Sequence, residues 1–170
     1  MGHVKWCFNP SPTIDDLYTN LHAFHEVHGD YPKMTVIDIL MDIDDGSGEV
    51  SQNYWTTMAD LKVLAREVKT ALVVAHHTSE SAKDSAPPPR SAIMGKANQL
   101  PILIVTLWGD SENGTLDMAI VKNRNGPQDP TAAKTFRMRV DPDLCRLEMM
   151  PVQVPGTLPF GSGFKTEEYT

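Results

Sequence analysis

The chain has 170 residues, of which 41% are hydrophobic and 22% are charged. This suits a globular domain with a real core and excludes wholesale disorder. The net charge of −7 excludes a generally basic protein that coats nucleic acid. The acidity lies in residues 1–85, which hold six basic and 13 acidic side chains, whereas residues 86–170 hold nine of each. We therefore expect the groups that meet phosphate to lie in the second half.

The cysteines and the hydropathy indicate the cellular compartment of the protein. Cys7 and Cys145 form neither a disulfide framework nor a zinc pattern, and both lie in apolar runs, so we expect buried free thiols in a reducing environment. No stretch is long and apolar enough to span a membrane, and the N-terminus lacks the apolar region of a signal peptide. The prediction is a soluble, cytoplasmic protein with no membrane contact.

The first elements are a short strand and a helix. Residues 4–8 have the apolar and aromatic composition of a strand. Thr13 and Asp16 match a capping box, so a helix should begin after Thr13. Its apolar face repeats at helical spacing, and Gly29 should end it.

Two buried strands and a second helix follow. The apolar run 34–40 fits a strand covered on both faces, as in a parallel sheet. A helix is predicted over residues 52–69, and a second buried strand over 71–76. The polar stretch 78–90 is long for an internal loop, which is typical of functional loops. One or two helical turns are expected within residues 91–98.

The chain closes with a run of strands and a tail. Four strands are predicted, over residues 102–107, 116–122, 134–140 and 145–149. Strands that alternate with helices indicate an α/β fold with a mostly parallel sheet, and the last strands add an antiparallel edge. We expect one domain over residues 1–150 and a loosely ordered tail rich in Pro and Gly over 151–170.

Asp38 is a charged residue within an apolar run. A buried carboxylate costs several kcal/mol unless it is paired or binds a cation. At the C-terminal end of a parallel strand it would face the crevice where α/β proteins bind ligands, and there it can hold Mg²⁺ beside nucleotide phosphates. An Asp hydrogen-bonded to a neighbouring loop remains the alternative.

Two further polar clusters follow strands. His76 and His77 come after the strand over 71–76 and could sense a γ-phosphate, although, taken alone, the pair is better explained by plain capping of the strand end. Lys122 and Arg124 precede a turn fixed by Gly126, and two cations on a hairpin suit a transferring phosphoryl group. A solvated hairpin end is the alternative for this pair.

The dipeptide Gly95-Lys96 does not belong to a phosphate-binding P-loop. That motif needs a Gly five residues before the Gly-Lys pair and a Ser or Thr after it. Here Arg90 and Ala97 occupy those positions, and the motif occurs nowhere else in the 170 residues.

Taken in order, these segments resemble a known family. Residues 36–40 look like a Walker B strand, and residues 73–79 look like the next core strand with its sensor. Residues 89–107 look like the loop and strand that follow, and residues 121–127 look like a lysine and arginine finger hairpin. This order is similar to the RecA-like ATPase domain of DnaB-type replicative helicases, especially the divergent versions of actinobacteria and their phages.

The resemblance implies a hexameric ring that binds ATP and Mg²⁺ and moves along single-stranded DNA. Asp38 would be the Mg²⁺ ligand, and His77 would stand at the sensor position. Lys122 and Arg124, presented by the turn at Gly126, would reach the γ-phosphate bound to the neighbouring subunit.

The resemblance also implies two DNA-facing loops, over residues 44–49 and 78–96. Lys83, Arg90 and Lys96 would contact the DNA backbone there.

The family's P-loop has no counterpart in this sequence, so the resemblance implies an incomplete P-loop NTPase core. The chain alone is not expected to be an active ATPase. We first expect a helicase component that assembles with a P-loop-bearing chain or with homologous ring neighbours. One alternative is a non-catalytic RecA-like module that regulates a helicase or ATPase ring. The other is a truncated relic without activity of its own.

Overall fold

The computed structural model describes residues 4–44, 46, 54–79 and 85–150. Within these ranges two helices and six strands follow one another. They are α1 (Ile14–His28), β1 (Met34–Ile37), α2 (Tyr54–Glu67), β2 (Ala71–Val74), β3 (Leu103–Asp110), β4 (Thr115–Asn123), β5 (Phe136–Asp141) and β6 (Arg146–Met149). Short 3-10 helices lie at Leu40–Asp42, Arg90–Ala92 and Met94–Gln99.

Helix α1 begins and ends as its capping residues predict. The Thr13 hydroxyl accepts a hydrogen bond from the Asp16 amide at 3.1 Å, and the Asp16 carboxylate accepts one from the Thr13 amide at 2.9 Å. The bond from the Thr13 amide, and a second one from the Thr13 hydroxyl at 2.8 Å, stabilise the Asp16 carboxylate and hold the pKa of Asp16 below its usual value. At the other end Gly29 adopts φ 76°, and its amide donates to His25 O at 2.7 Å.

The strands form two sheets. β1 and β2 pair in parallel, from Met34 opposite Ala71 to Ile37 opposite Val74. The other four form an antiparallel sheet in the order β3–β4–β5–β6. The predicted α/β class, with antiparallel strands after the parallel ones, is confirmed.

The main core lies between the parallel strands and the two helices. Leu40, Ile43 and Leu61 are at most 1% exposed there. Each such side chain contributes about 1.5–3 kcal/mol through its burial. A second cluster joins Ala119, Val121 and Ala132 of the antiparallel region, and Ile93 packs against both clusters. Ile93 therefore ties the two sheets together.

The helices cover one face of the parallel sheet, and the opposite face is exposed. Met34 and Val36 of β1 are each 61% exposed, and Val73 of β2 is 49% exposed. The prediction that both faces of these strands are covered is therefore wrong for the described residues. Alternate side chains of a strand point to opposite faces, and α1 and α2 pack on the same one.

The predicted strand over residues 4–8 is also wrong. These residues are not assigned to a strand, and Val4, Trp6 and Phe8 are 73–87% exposed. Strand composition alone does not make a strand, because its backbone groups need a neighbour with which to pair. β1 is likewise shorter than the predicted run 34–40: it ends at Ile37, and the chain turns into the 3-10 helix Leu40–Asp42.

Both cysteines are exposed, so the prediction of buried thiols is wrong. Cys7 lies in the exposed segment that precedes α1. Cys145 lies in the turn between β5 and β6, where its φ is 47°. An apolar neighbourhood in sequence did not imply burial, because neither segment packs on the core.

Some predictions fall outside the described residues. They are the tail over 151–170, Lys83 and most of the loop over 44–49. Within the part of the chain that the structure describes, no helix has the length and apolar character needed to cross a membrane.

Candidate nucleotide-binding edge and cation cluster

The parallel sheet brings Asp38 and the histidine pair to one edge. Neighbouring parallel strands end on the same side, and the chain just beyond them stays paired. The Ala75 amide donates to Ile37 O, and the Leu40 amide donates to Ala75 O, both at 2.9 Å. Asp38 therefore lies directly beside the segment that leads into His76. The Asp38 side chain is exposed at this edge, where α/β proteins bind their ligands.

His76 links the end of β2 to the helical segment farther along the chain. Its Nε2 lies 3.3 Å from Met94 O, and its ring meets Tyr54 edge-on with centroids 4.9 Å apart. Burial lowers the pKa of His76 below 6.5, so the ring is neutral at pH 7. With Nε2 donating to Met94 O, the buried Nδ1 is an acceptor without a hydrogen-bond partner in the described structure. His77, the predicted sensor, is exposed instead.

Lys122 is buried at the end of β4 and binds the end of a helix. It is 5% exposed, and its Nζ donates to Asn98 O at 2.8 Å and to Gln99 O at 2.7 Å. Arg124 donates from its guanidinium to Gln99 O at 3.2 Å. Backbone carbonyls without a partner inside the segment need donors, so both cations stabilise the end of the 3-10 segment Met94–Gln99, which is kinked at Gly95 and Lys96.

Three cations, Lys122, Arg124 and Arg90, form a cation cluster at this end of β4. The pKa of Lys122 is lowered by burial and, to a smaller extent, by the charges of Arg124 and Arg90. Arg124 is exposed, and Arg90 is partly buried. Such a group of like charges suits an anion. Lys122 could reach a phosphate only if its Nζ broke both hydrogen bonds to the carbonyls. Arg124 would have to break only one hydrogen bond, which is longer.

The segment that carries Arg90 and Lys96 is fixed at several points. The Arg90 amide donates to Pro130 O at 2.9 Å, and the Asn98 side chain donates to Arg90 O at 3.1 Å. The Ser79 amide donates to Ala92 O at 2.8 Å. This described part of the predicted DNA-facing loop therefore has a defined conformation. Lys96 is exposed on it, and the charge of Arg90 helps to lower the pKa of Lys122.

The backbone at Gly95 requires glycine, whereas at Gly126 an added Cβ would meet only the end of one side chain. Gly95 adopts φ 63°, and an added Cβ would overlap Cδ2 of Tyr54, so a side chain fits there only if the ring moves. Gly126 lies in the exposed turn after β4, where an added Cβ would meet the Asn123 side-chain nitrogen at 2.9 Å. The turn at Gly126 thus follows directly on the pair Lys122 and Arg124.

Sequence reasoning missed several of these contacts. Tyr54, Asn98 and the carbonyl of Gln99 position the predicted site residues, but nothing in their local sequence marks them. The bonds of Lys122 join residues 23 and 24 positions apart, and the bond of His76 joins residues 18 apart. Only the folded chain brings these groups together.

Asp38 is the candidate ligand for Mg²⁺. Within the described ranges, no group of three or more His, Cys, Asp or Glu side chains could hold a metal ion. Mg²⁺ is commonly bound by one or two carboxylates, with waters and substrate phosphates completing its shell. One exposed carboxylate at the strand edge fits that mode of binding, which depends on a bound nucleotide.

Solved helicase domains share this fold over most of the chain. One solved ATPase domain matches with a TM-score of 0.69 at 15% identity, covering 83% of this chain and 52% of that one. A DnaB-like replicative helicase, solved in a study of its interactions with primase, matches with a TM-score of 0.70 at 16% identity, covering 82% and 35%. The fold is therefore the RecA-like fold of DnaB-type helicase ATPase domains, as the order of the motifs predicts.

Two curated phage proteins share sequence with the chain. The gene 65 protein of Mycobacterium phage L5 is 27% identical over 135 residues, which are 75% of this chain and 50% of that protein. The gene 65 protein of Mycobacterium phage D29 is 25% identical over 135 residues, which are 75% and 58%. The chain thus spans about half the length of these relatives. No protein-family model matches the sequence.

Proposed function

We propose that the chain is a component of a DnaB-like replicative helicase that couples ATP hydrolysis to movement on single-stranded DNA. Its phosphate-binding P-loop would come from another polypeptide. The observation that carries this proposal is the RecA-like fold with Asp38 at the C-terminal edge of the parallel sheet. The length of the gene 65 relatives supports a larger functional unit than these 170 residues.

At the sheet edge, Asp38 would hold Mg²⁺ through one carboxylate oxygen, directly or through water. The ion, when bound with ATP, neutralises charge on the phosphates. The exposed imidazole of His77 would meet the γ-phosphate as the sensor. The neighbouring His76 would carry that contact to the helical segment through its bond to Met94.

The cation cluster would serve the nucleotide of a neighbouring subunit in a hexameric ring. Arg124 is the exposed member and the better candidate for the finger that stabilises charge in the transition state. Lys122 would join it on release from its two carbonyls, and Gly126 would form the turn that lets the neighbour approach.

The DNA contacts would come from the loop over residues 78–96. Lys96 is exposed and Arg90 is partly buried on its fixed portion, and Lys83 belongs to the same loop in sequence. Lysine and arginine bind single strands through the backbone phosphates, so this contact would be independent of sequence and sensitive to salt.

A second candidate function is a non-catalytic module that binds a helicase ring and offers Arg124 to a neighbour's nucleotide. It is favoured by the combination of an exposed arginine with the lack of any P-loop motif in the 170 residues. The two candidates differ in the role of Asp38, which only the first requires.

The test uses the chain mixed with a polypeptide that carries a P-loop motif. The part of the phage L5 gene 65 protein outside the 135 matched residues serves as that polypeptide if its sequence contains the motif. Steady-state ATP hydrolysis is measured with and without single-stranded DNA. Asp38→Asn should lower the DNA-stimulated rate by about 100-fold or more, and Arg124→Ala by about 1,000-fold. Asp60→Asn on α2 and Arg146→Ala on β6 are the matched controls and should leave the rate unchanged.

Unchanged rates in both site variants would contradict the catalytic proposal. Loss with Arg124→Ala but not with Asp38→Asn would favour the regulatory module instead. In that case the chain should alter the ATPase rate of an intact helicase ring, and Arg124→Ala should abolish that effect.

A further inference from the structure

Arg90 is held beside the turn that follows β4, but its guanidinium has no bonding partner of its own. The Arg90 amide donates to Pro130 O at 2.9 Å, and Arg90 O accepts from the Asn98 side chain at 3.1 Å. Asn98 is also one of the residues whose carbonyl binds Lys122 Nζ. The Arg90 side chain is partly buried, yet it makes no hydrogen bond or ion pair within the described residues. The backbone thus places an unpaired arginine close to Lys122.

No carboxylate of the described residues neutralises the cation cluster. The ion pairs within these residues lie elsewhere and join Lys33 to Asp30, Arg137 to Asp117 and Arg146 to Glu148. Asp129, the acidic residue closest to Arg124 in sequence, accepts hydrogen bonds from Thr131 and from the Lys134 amide instead. Charges of one sign repel one another, and burial weakens the screening of that repulsion by solvent. An anion bound among the three cations would therefore relieve it.

The three cations differ in the number of donors that they have left for such an anion. Lys122 is 5% exposed, and its Nζ uses two of its three hydrogens on the carbonyls of Asn98 and Gln99. Arg124 donates one bond of 3.2 Å to Gln99 O. Arg90 keeps all five N–H donors of a planar fork, whose geometry matches two oxygens of one phosphate. Arg90 is thus the member of the cluster that binds a phosphate without breaking a bond.

We propose that Arg90 binds the oxygens of a polyphosphate with its guanidinium fork, together with Arg124, while Lys122 keeps its two carbonyl bonds and contributes its charge. Arg90 is then a phosphate-binding residue, and among the described basic residues of the loop over 78–96 it is Lys96 that keeps the DNA contact. The identity of the polyphosphate as the nucleotide of a neighbouring subunit rests on the proposed function. The site itself rests on the unpaired guanidinium and on the lack of a counter-charge among the described residues.

A compact polyphosphate fits this site better than the backbone of DNA does. A polyphosphate holds several negative charges close together, whereas a nucleic acid strand carries one charge per phosphate, spaced along the chain. Three neighbouring cations match the first arrangement. Arg90 is also partly buried and fixed at its backbone, whereas Lys96 is exposed, as contact with a moving strand requires.

Binding of inorganic tripolyphosphate to the full chain tests the site directly. Titration calorimetry at equal ionic strength measures Kd for the unsubstituted chain and for two arginine variants. Arg90→Gln should weaken binding by at least ~10-fold, because a charged, bidentate donor is lost. Arg139 is an exposed arginine of β5 whose side chain makes no ion pair among the described residues. Arg139→Gln is therefore the matched control and should bind as the unsubstituted chain does.

Two further measurements separate phosphate binding through the fork from a bare charge and from a structural role. Arg90→Lys keeps the charge without the planar fork, so its Kd should lie between those of Arg90→Gln and the unsubstituted chain. Without tripolyphosphate, Arg90→Gln should have the same Tm as the unsubstituted chain or a higher one, because repulsion within the cluster decreases. Saturating tripolyphosphate should raise the Tm of the unsubstituted chain more than that of Arg90→Gln.

The proposal is overturned if the unsubstituted chain does not bind tripolyphosphate, or if Arg90→Gln and Arg139→Gln bind it equally well. It is also overturned if Arg90→Gln has a lower Tm without the ligand, since that indicates a structural role. Weaker binding of single-stranded DNA by Arg90→Gln, with tripolyphosphate binding unchanged, would assign Arg90 to DNA and overturn it as well.

Failure of the proposed function is distinguishable from failure of this site. Tripolyphosphate binding that depends on Arg90, without ATP hydrolysis in the mixture with a P-loop-bearing polypeptide, keeps the site and contradicts the helicase role. ATP hydrolysis that depends on Arg124 but is unchanged in Arg90→Gln keeps the helicase role and contradicts the role of Arg90.

Discussion

Replacing Lys122 by Met tests whether its main role in this chain is to hold the carbonyls at the end of the kinked 3-10 segment Met94–Gln99. Methionine keeps the apolar stem at a site that is 5% exposed and removes only the ammonium group. The carbonyls of Asn98 and Gln99 then lose the donor that binds them at 2.8 and 2.7 Å.

The size of the effect follows from two opposing contributions. Hydrogen bonds to a charged group contribute about 1.5–3 kcal/mol each, so two of them give about 3–6 kcal/mol. Burial of the ammonium near Arg124 and Arg90, which also lowers its pKa, offsets several kcal/mol of this. We expect Lys122→Met to lower the free energy of unfolding by about 1–3 kcal/mol.

Urea unfolding followed by circular dichroism measures this difference, and Arg124→Met is the matched control. Arg124 is exposed and makes one bond of 3.2 Å to Gln99 O, so its loss should cost at most about 1 kcal/mol. Equal stability of the two variants, within about 0.5 kcal/mol, would refute the structural role of Lys122.

Three further predictions concern local structure. Gly95→Ala should lower the free energy of unfolding by about 1–2 kcal/mol more than Gly29→Ala does, as measured by thermal unfolding. Both positions have positive φ, but only at Gly95 does an added Cβ meet Tyr54. Equal losses of stability in the two variants would contradict the clash. Thr13→Ala should lower the free energy of unfolding in urea by about 1 kcal/mol, because α1 loses its cap, whereas Thr13→Ser should lower it little. Equal losses of stability in the two variants would argue against the cap. The pKa of His76 is lower in the folded chain than the usual 6.5, so the unfolded chain binds more protons. The free energy of unfolding should therefore fall as the pH drops below about 6.5. An equally large fall in the His76→Gln variant would contradict this role of His76.

Capping and turn residues correctly predicted the helix and strands whose ends depend on residues close by in the sequence. The capping pair and Gly29 placed α1 correctly, because capping groups lie within one turn of the helix end. The four strands of the second half were also confirmed, since turn residues separate them. The order of motifs predicted the RecA-like fold, now supported by the structural matches.

The remaining features depend on groups distant in sequence. Residues 4–8 have strand composition but no strand neighbour in the described structure, so they do not form one. The runs that form β1 and β2 predicted strands covered on two faces, yet both helices pack on the same side. The bonds of Lys122 to Asn98 O and Gln99 O join distant residues, so no local pattern predicts them. The roles of Asp38, His77, Arg124 and the DNA-facing residues stay predictions.

The most direct test of the account is ATP hydrolysis by the chain with and without its P-loop-bearing partner. Three samples are compared at equal concentration with single-stranded DNA and Mg²⁺: the chain, a polypeptide that carries the P-loop motif, and the two together. The proposed function predicts background hydrolysis in each alone and DNA-stimulated hydrolysis in the mixture. Equal hydrolysis by the chain alone, or none in a mixture whose subunits demonstrably associate, would contradict it.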